Sequence, residues 1–333
     1  MTTRQVVKSV GPWPPHFEEH TLAMVARDKT SIFAVAGNAL HAFDERLQEI
    51  PLTIIAPQVG NVSNDVAVVQ DFTITGLIVS TDQKVYLAGG IFIQPYRGDR
   101  NWLPMSYMAR IDLTKPVNGN RLAVLPKNNY NEMLADSPVP MAISKNNAKV
   151  YAALRNHDLL VIDTAGFSIS YPDKQDHKHQ CLYLSDDGQR LYSIIEGNPD
   201  MQLLKLNPGD LKTEKSLPLG APSQYVNLSG YGAPAPYFSI GEYFRYLPSC
   251  DLLESPQGKD LIVAYGNSIR VVDLSTWTIR QTIALDTGVR LLQVLEGPLH
   301  TWKIRAWGRA AVDPQGRVLD NKTVLYEVLV GRG

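Results

Sequence analysis

One pattern of apolar runs and polar turns returns along this chain. Residues 141–166, MAISKNNAKVYAALRNHDLLVIDTAG, read as an apolar run, a polar turn, an apolar run carrying Tyr, a short gap, and an apolar run that ends in Asp. The same order returns in CLYLSDDGQRLYSIIEGNPDMQLLKLNPG from Cys181 and in LLESPQGKDLIVAYGNSIRVVDLSTW from Leu252. Looser copies are AMVARDKTSIFAVAGNALHAFDE from Ala23 and GLIVSTDQKVYLAGG from Gly76, the latter resuming at YMARIDLT. A degenerate sixth copy runs from about Arg305, AWGRAAVDPQGRVLDNKTVLYEVLVG. Short runs of Val, Ile, Leu and Tyr between Gly, Pro, Asn and Asp clusters mark short strands joined by turns. A unit that recurs along the chain means copies that bury a core against one another.

These copies resemble the blades of β-propellers of the YVTN kind, whose unit reads roughly S-P-D-G-x-x-V-Y-V…V-I-D. The resemblance covers most of residues 20–333. It implies an all-β fold: one propeller domain over residues 1–333, with four-stranded antiparallel blades whose strands A to D run outward from the axis. The turn S-x-D-G joins A to B. The run ending in Asp44, Asp112, Asp163, Asn207 or Asp273 is strand C, and a fourth run follows, such as TWTIRQTIAL after Asp273. The last blade lacks a fourth strand of its own, and RQVVKSV, residues 4–10, is expected to supply it and close the ring. The count is six blades, or seven if residues 51–70 hide another. Tyr86, Tyr151 and Tyr192 are core by position. Asp112, Asp163 and Asp273 are expected to accept turn amides, so Asp163→Ala should destabilise.

Composition narrows the function. Of 333 residues, 44% are hydrophobic and 20% charged, the balance of a soluble globular chain. The net charge is −1 and basic residues are scattered, which argues against nucleic acid and anionic membranes as partners. The longest apolar runs are about eight residues, short of a membrane span. MTTRQVVKSVGPWPP carries no signal-peptide pattern, so a cytoplasmic location is expected. Cys181 and Cys250 have neither metal-ligand spacing nor a disulfide framework, and read as buried thiols. No G-x-S-x-G elbow, Walker A loop or G-x-G-x-x-G opening a helix occurs.

His16, Glu19 and His20 spell H-x-x-E-H, the order of one class of zinc proteases. That chemistry needs a helix of several turns, and Pro14–Pro15 followed closely by the strand-like TLAMVA leaves no room for one. The stretch is a connector. Strands alternate in direction, so A–B and C–D turns share one face and B–C turns and D–A connectors the other. His16 and His20 precede the first blade, His157 lies in a B–C turn, His177 and His179 precede the fourth blade, and His300 is placed before the last. Six of the seven histidines thus map to one face, with His41 in a strand C. Aligning Phe33 with Tyr192 puts His20 on His179, both just before an innermost strand. They are the candidates for a catalytic base or for ligands of a divalent metal. Zinc needs a third ligand, for which Glu18, Glu19, Asp136 and Asp176 lie on the correct side. Polar connectors also collect histidines with no site at all. As loop changes, His20→Ala and His179→Ala should leave folding nearly intact.

Two insertions map to that same face. Residues 88–107 separate strands B and C of the second blade and carry Tyr96, Arg97, Arg100, Trp102 and Tyr107. Residues 221–247 precede the fifth blade and carry Tyr237, Phe238, Tyr243 and Tyr246. Long loops rich in aromatics and arginine suit a binding surface. The reading adopted is a non-enzymatic binding propeller whose B–C and D–A loops take a small organic ligand or a protein segment. The alternative is a propeller enzyme: a hydrolase, lyase or cyclisation catalyst at the channel mouth, with or without a metal. It would be similar in architecture to lactonase-like, strictosidine-synthase-like and antibiotic-lyase propellers, with His20 or His179 as base or ligand.

Overall fold

The computed structural model describes residues 3–10, 21–25, 31–36, 39–44, 49–50, 68–72, 76–94, 103–112, 121–124, 140–153, 159–170, 177, 179–195, 200–220, 250–265, 268–285, 289–298, 300–309 and 323–331. Every regular element among them is a strand, and these form six antiparallel sheets. The chain divides into two compact units. One is Glu19–Lys178 with Phe238–Phe244, and the other is Met1–Glu18, His179–Tyr237 and Arg245–Gly333.

The Glu19–Lys178 unit holds three sheets. The first is β2 (Thr21–Val25), β3 (Ser31–Ala36), β4 (Ala39–Asp44) and β5 (Glu49–Ile50), paired in that order. The second joins β7 (Gly76–Val79), β8 (Lys84–Gln94), β9 (Leu103–Asp112) and β10 (Arg121–Val124), with β6 (Val68–Phe72) also on β8. The third is β11 (Met141–Ile143), β12 (Lys149–Ala153), β13 (Leu159–Asp163) and β14 (Ser168–Ser170). The first strands β2, β7 and β11 are neighbours.

The other unit repeats the plan. Its sheets are β15 (His179–Leu184), β16 (Leu191–Ile195), β17 (Met201–Leu206) and β18 (Thr213–Gly220), then β19 (Cys250–Glu254), β20 (Asp260–Tyr265), β21 (Ser268–Asp273) and β22 (Thr278–Ala284). The last joins β23 (Val289–Glu296), β24 (Thr301–Arg309) and β25 (Thr323–Gly331) to β1 (Thr3–Val10), which pairs antiparallel with β25 from Thr3↔Leu329 to Val10↔Thr323. The first strands β15, β19 and β23 again lie side by side. Apolar cores fill the spaces between successive sheets of a unit. One joins Tyr86 and Met108 to Val150 and Leu160, another Tyr192 and Leu203 to Leu252 and Val263, a third Ile262 and Val271 to Trp302 and Ile304. Strands β16 and β20 are buried along their whole length. A strand covered on both faces has no solvent side, so these runs are almost continuously apolar instead of alternating.

The repeated turn has a physical cause. The hydroxyls of Ser80, Ser144, Ser185 and Ser255 accept the amides of Lys84, Lys149, Arg190 and Asp260 at 2.8–3.1 Å, tying the two ends of each A–B turn. The residue three after each serine has positive φ: Gln83 at 59°, Asn147 at 56°, Gly188 at 73° and Gly258 at 64°. Glycine is the natural occupant of that conformation, and Asn tolerates it. Gln83 is the misfit, and it is exposed. Gln83→Gly is expected to stabilise the fold by roughly 0.5–1 kcal/mol, the left-handed penalty less the extra chain entropy of glycine; an unchanged urea midpoint would count against the turn geometry. At the end of strand C, Asp163 Oδ1 accepts the amides of Ala165 and Gly166, Asn207 Oδ1 that of Gly209, and Asp273 Oδ1 those of Ser275 and Thr276. The Ser275 hydroxyl and these amides pull the Asp273 carboxyl down to about 2.

The last copy differs from expectation. The run AWGR ends the second strand, β24, and the first strand is VRLLQVLE, β23. In EGPLHTW, Glu296 therefore ends β23, Thr301 and Trp302 open β24, and Gly297, Pro298 and His300 belong to the A–B turn. His300, exposed and at φ 55°, takes the place that Gly188 and Gly258 hold in their turns. It leaves the group of histidines assigned to the B–C and D–A face. The register of this copy is hidden in the sequence because its first strand is interrupted by Arg290 and Gln293, at a bulge between Leu291 and Gln293. Of the stretch 51–70, Val68–Val69–Gln70 belong to β6 and pair with β8 in the second sheet; residues 51–67 lie outside the described residues.

Candidate functional site

Two edges of each sheet can carry function. At the A–B edge of the unit that holds β15–β22, the polar groups serve the packing of adjacent sheets. Glu254, at the end of β19, has a nearly buried side chain that accepts from the Tyr192 hydroxyl at 3.1 Å and lies 3.3 Å from Arg190. Arg190 also pairs with Asp187 at 2.8 Å. Burial raises the Glu254 carboxyl above its ordinary range, against the pull of Arg190. Nearby, Asp260 receives Arg280 through both oxygens and the Trp302 indole N–H at 2.7 Å. Each of these partners is internal, so this edge reads as a set of clamps.

The B–C edge of the same two sheets is different. His179 is the first residue of β15, opposite Ile195, and only 6% exposed. This corrects its placement in a connector: the innermost strand starts two residues before the apolar run at Cys181. Its Nδ1 lies 2.7 Å from Ser193 Oγ, and Ser193 Oγ reaches the Cys181 carbonyl at 3.0 Å. The hydroxyl has one hydrogen and the carbonyl can only accept, so Ser193 donates to Cys181 and accepts from His179 Nδ1–H. A histidine that activates a serine nucleophile must accept the serine proton, and here it donates. Ser193→Ala should therefore cost about 1–3 kcal/mol by stranding the imidazole N–H. His179→Ala should also lower the unfolding midpoint, unlike the near-neutral result expected of a loop. Equal midpoints for wild type and both variants would refute the pairing.

Cys181 and Cys250 sit together in the core between β15 and β19. Burial pushes the Cys181 thiol well above its ordinary value, and the neighbouring Cys250 and Asp251 add to this. Such a thiol is not a nucleophile at neutral pH. One further group lies at this edge. Arg270, on β21, is 8% exposed, donates through Nη1 to the Leu219 carbonyl, and has its guanidinium 5.5 Å from the Tyr265 ring centroid. Burial lowers its pKa.

Of the residues chosen from sequence, the structure places His179 at the head of β15, His177 half-buried just before it, and His41 in β4, a third strand. Tyr107 lies on β9, its backbone opposite Gly89 and Val124. His16, His20, His157, Tyr96, Arg97, Arg100, Trp102, Tyr237, Phe238, Tyr243 and Tyr246 fall outside the described residues. Among the described residues no three His, Cys, Asp or Glu side chains converge as a metal-binding group. Arg270 is absent from the sequence-based candidates, though the repeat holds the signal. It stands three residues before the strand-C aspartate, where the third and fourth sheets have the buried Leu160 and Leu204.

No family model matches the chain, and no curated protein matches it in sequence. Among solved structures, a chain of the mitotic checkpoint complex aligns with a TM-score of 0.51 and 9% identity, over 97% of this chain and 91% of that one. The β-propeller domain of Myceliophteria thermophila Cps50 (Swd1) aligns with a TM-score of 0.48 and 11% identity, over 96% of this chain and 99% of that one. Identity at this level speaks for fold alone. The all-strand, repeated four-stranded sheets, with a likeness that spans nearly the whole chain, make it a β-propeller. The likeness does not separate the YVTN repeat from other propeller repeats.

Proposed function

We propose that the chain is a non-enzymatic binding propeller that grips a protein segment with its B–C and D–A segments. The observation that carries this reading is the β8–β9 hairpin. Second and third strands in the other sheets of its unit have five or six residues, whereas β8 has 11 and β9 has 10. Their pairing runs without a break from Lys84↔Asp112 to Ile93↔Leu103, past the point where β7 stops at Ala88. β6 takes up the same edge of β8 at Ile91–Gln94. The insertion is thus a three-stranded arm, and a paired arm loses less conformational entropy on binding than an open loop. Its tip sequence supplies Tyr96, Arg97, Arg100 and Trp102, with Tyr107 at its base. Residues 221–247 supply Tyr237, Phe238, Tyr243 and Tyr246. Such residue types anchor interfaces. The fold also serves as a component of an assembly in the solved checkpoint complex.

The test replaces residues 95–102 by Asn-Gly, a two-residue hairpin turn, and makes Tyr237→Ala with Tyr243→Ala separately. A partner cross-linked to wild type through these segments, and lost in both variants at unchanged melting temperature, is the expected result. Cross-links confined to the A–B edge, or capture indifferent to both changes, would overturn the reading. Elemental analysis of untagged protein guards the alternative: stoichiometric metal that falls in His20→Ala would make the enzyme reading the better one.

A further inference from the structure

We propose that Arg270 is the anchor of a carboxylate-binding site at the B–C edge of the sheet β19–β22. The inference rests on the binding-face reading and gives it a chemistry: the bound segment presents a carboxylate, from an acidic side chain or from its C-terminus.

Charge is the first consideration. A guanidinium stays protonated at any ordinary pH, so burying one requires compensation. Arg190, Arg280 and Arg305 each meet a carboxylate of this chain, from Asp187 and Glu254, from Asp260 and from Glu327, while the half-buried Arg110 meets the Thr164 carbonyl and the Phe167 ring. Arg270 is the most buried arginine among the described residues and meets none there. What it has is one backbone carbonyl, Leu219, and one aromatic ring, Tyr265. Both are neutral.

The geometry then selects the ligand. Nη1 is used by Leu219, and among the described residues no acceptor meets Nε or Nη2. Two parallel N–H groups on one side of a guanidinium match the two oxygens of a carboxylate. A single positive charge also matches a carboxylate better than a phosphate dianion, which collects several basic groups. The site lies where a bound segment would arrive. Leu219 is the penultimate residue of β18, directly before residues 221–247, and Tyr265 ends β20 at its B–C turn. The repeat points the same way, since buried leucine fills this position in two other sheets.

The experiment is a titration of the full chain, by calorimetry and by melting temperature, with three probes at matched ionic strength. N-acetylglycine mimics a C-terminal carboxylate, N-acetylglutamate α-amide an acidic side chain, and N-acetylglycinamide is the uncharged control. One of the acids should bind saturably and raise the melting temperature, and the amide should not. Arg270→Met should weaken that binding by roughly tenfold or more, as expected for loss of a charge-assisted bidentate pair. In carboxylate-free buffer the same variant should melt no lower than wild type, because it removes an uncompensated buried charge. A clear fall in its melting temperature there would make Arg270 a structural clamp and overturn the proposal. So would the absence of saturable binding by either acid, or equal binding to Arg270→Met. These probes need no protein partner. Acid binding with no partner engaged at the arm would keep this site and sink the protein-binding reading; the reverse result would do the opposite.

Discussion

Asp260→Ala is expected to lower the unfolding free energy by about 3–5 kcal/mol, the cost of leaving a buried charge without its partner. Asp260 is 6% exposed and opens β20. Its two oxygens accept Arg280 Nε at 3.1 Å and Nη2 at 2.8 Å, and Oδ2 also accepts Trp302 Nε1 at 2.7 Å. Arg280 continues to the Gly331 carbonyl at 2.7 Å, so one carboxylate organises groups from β20, β22, β24 and β25. Alanine strands a guanidinium and an indole N–H at once. Asp260→Asn keeps an acceptor without the charge and should fall between. Adding Arg280→Leu to Asp260→Ala should recover part of the loss, because the orphaned cation is then gone. A urea midpoint for Asp260→Ala within about 1 kcal/mol of wild type, the range of ordinary substitutions, would show that the clamp does not form.

Tyr192→Ala should cost roughly as much, about 3–5 kcal/mol, by the cavity it opens. The ring is fully buried between Tyr183 and Trp277, each with its centroid 6.3 Å away and nearly parallel to it. Trp277 reaches that position from a C–D turn residue at φ 57°, which tucks the indole into the core between the sheets. The Tyr192 hydroxyl donates to Glu254, and burial pushes its own pKa above the usual phenol range. Tyr192→Phe removes only that donor and should cost about 1–2 kcal/mol, with a pH dependence of known sign. Glu254 already has a carboxyl raised above 4.5 by burial. A raised acid is most favourable when protonated, and its contribution is lost as pH climbs through the folded value. Without the hydroxyl the raise is larger. The deficit of Tyr192→Phe should therefore shrink in acid and grow above the ordinary glutamate range. A deficit that grew in acid instead would mean that the hydroxyl does not serve the carboxylate.

Much of the fold is legible because propeller blades are local. Each meander pairs strands that are adjacent in sequence, so the order of apolar run, S-x-D-G turn and terminal aspartate carries most of the information. The aspartates at 163 and 273 do hold turn amides. The N-terminal run does pair with the last strand, a long-range contact betrayed by an incomplete final copy. The site is less legible. His179 reads as a loop residue because a histidine beside lysine looks solvated, and only its pairing with Ile195 and Ser193 shows it buried. His300 reads as a connector because the last blade's first strand is broken by polar residues. The arm reads as a loop because strand pairing beyond a blade has no signature in composition.

Local order along the chain dictates the strands, their succession and the chemistry of the turns, since these depend on residues within a few positions of one another. Which charges are compensated is a different matter, and it is fixed by packing at long range. Asp260, Arg280 and Trp302 are 20 or more residues apart in pairs, and their meeting follows from the packing of one sheet on the next. The same packing buries Arg270 beside the Leu219 carbonyl and the Tyr265 ring. Whether an arginine is a surface residue or a buried cation depends on the low-dielectric space around it, and that space exists only once the sheets have come together.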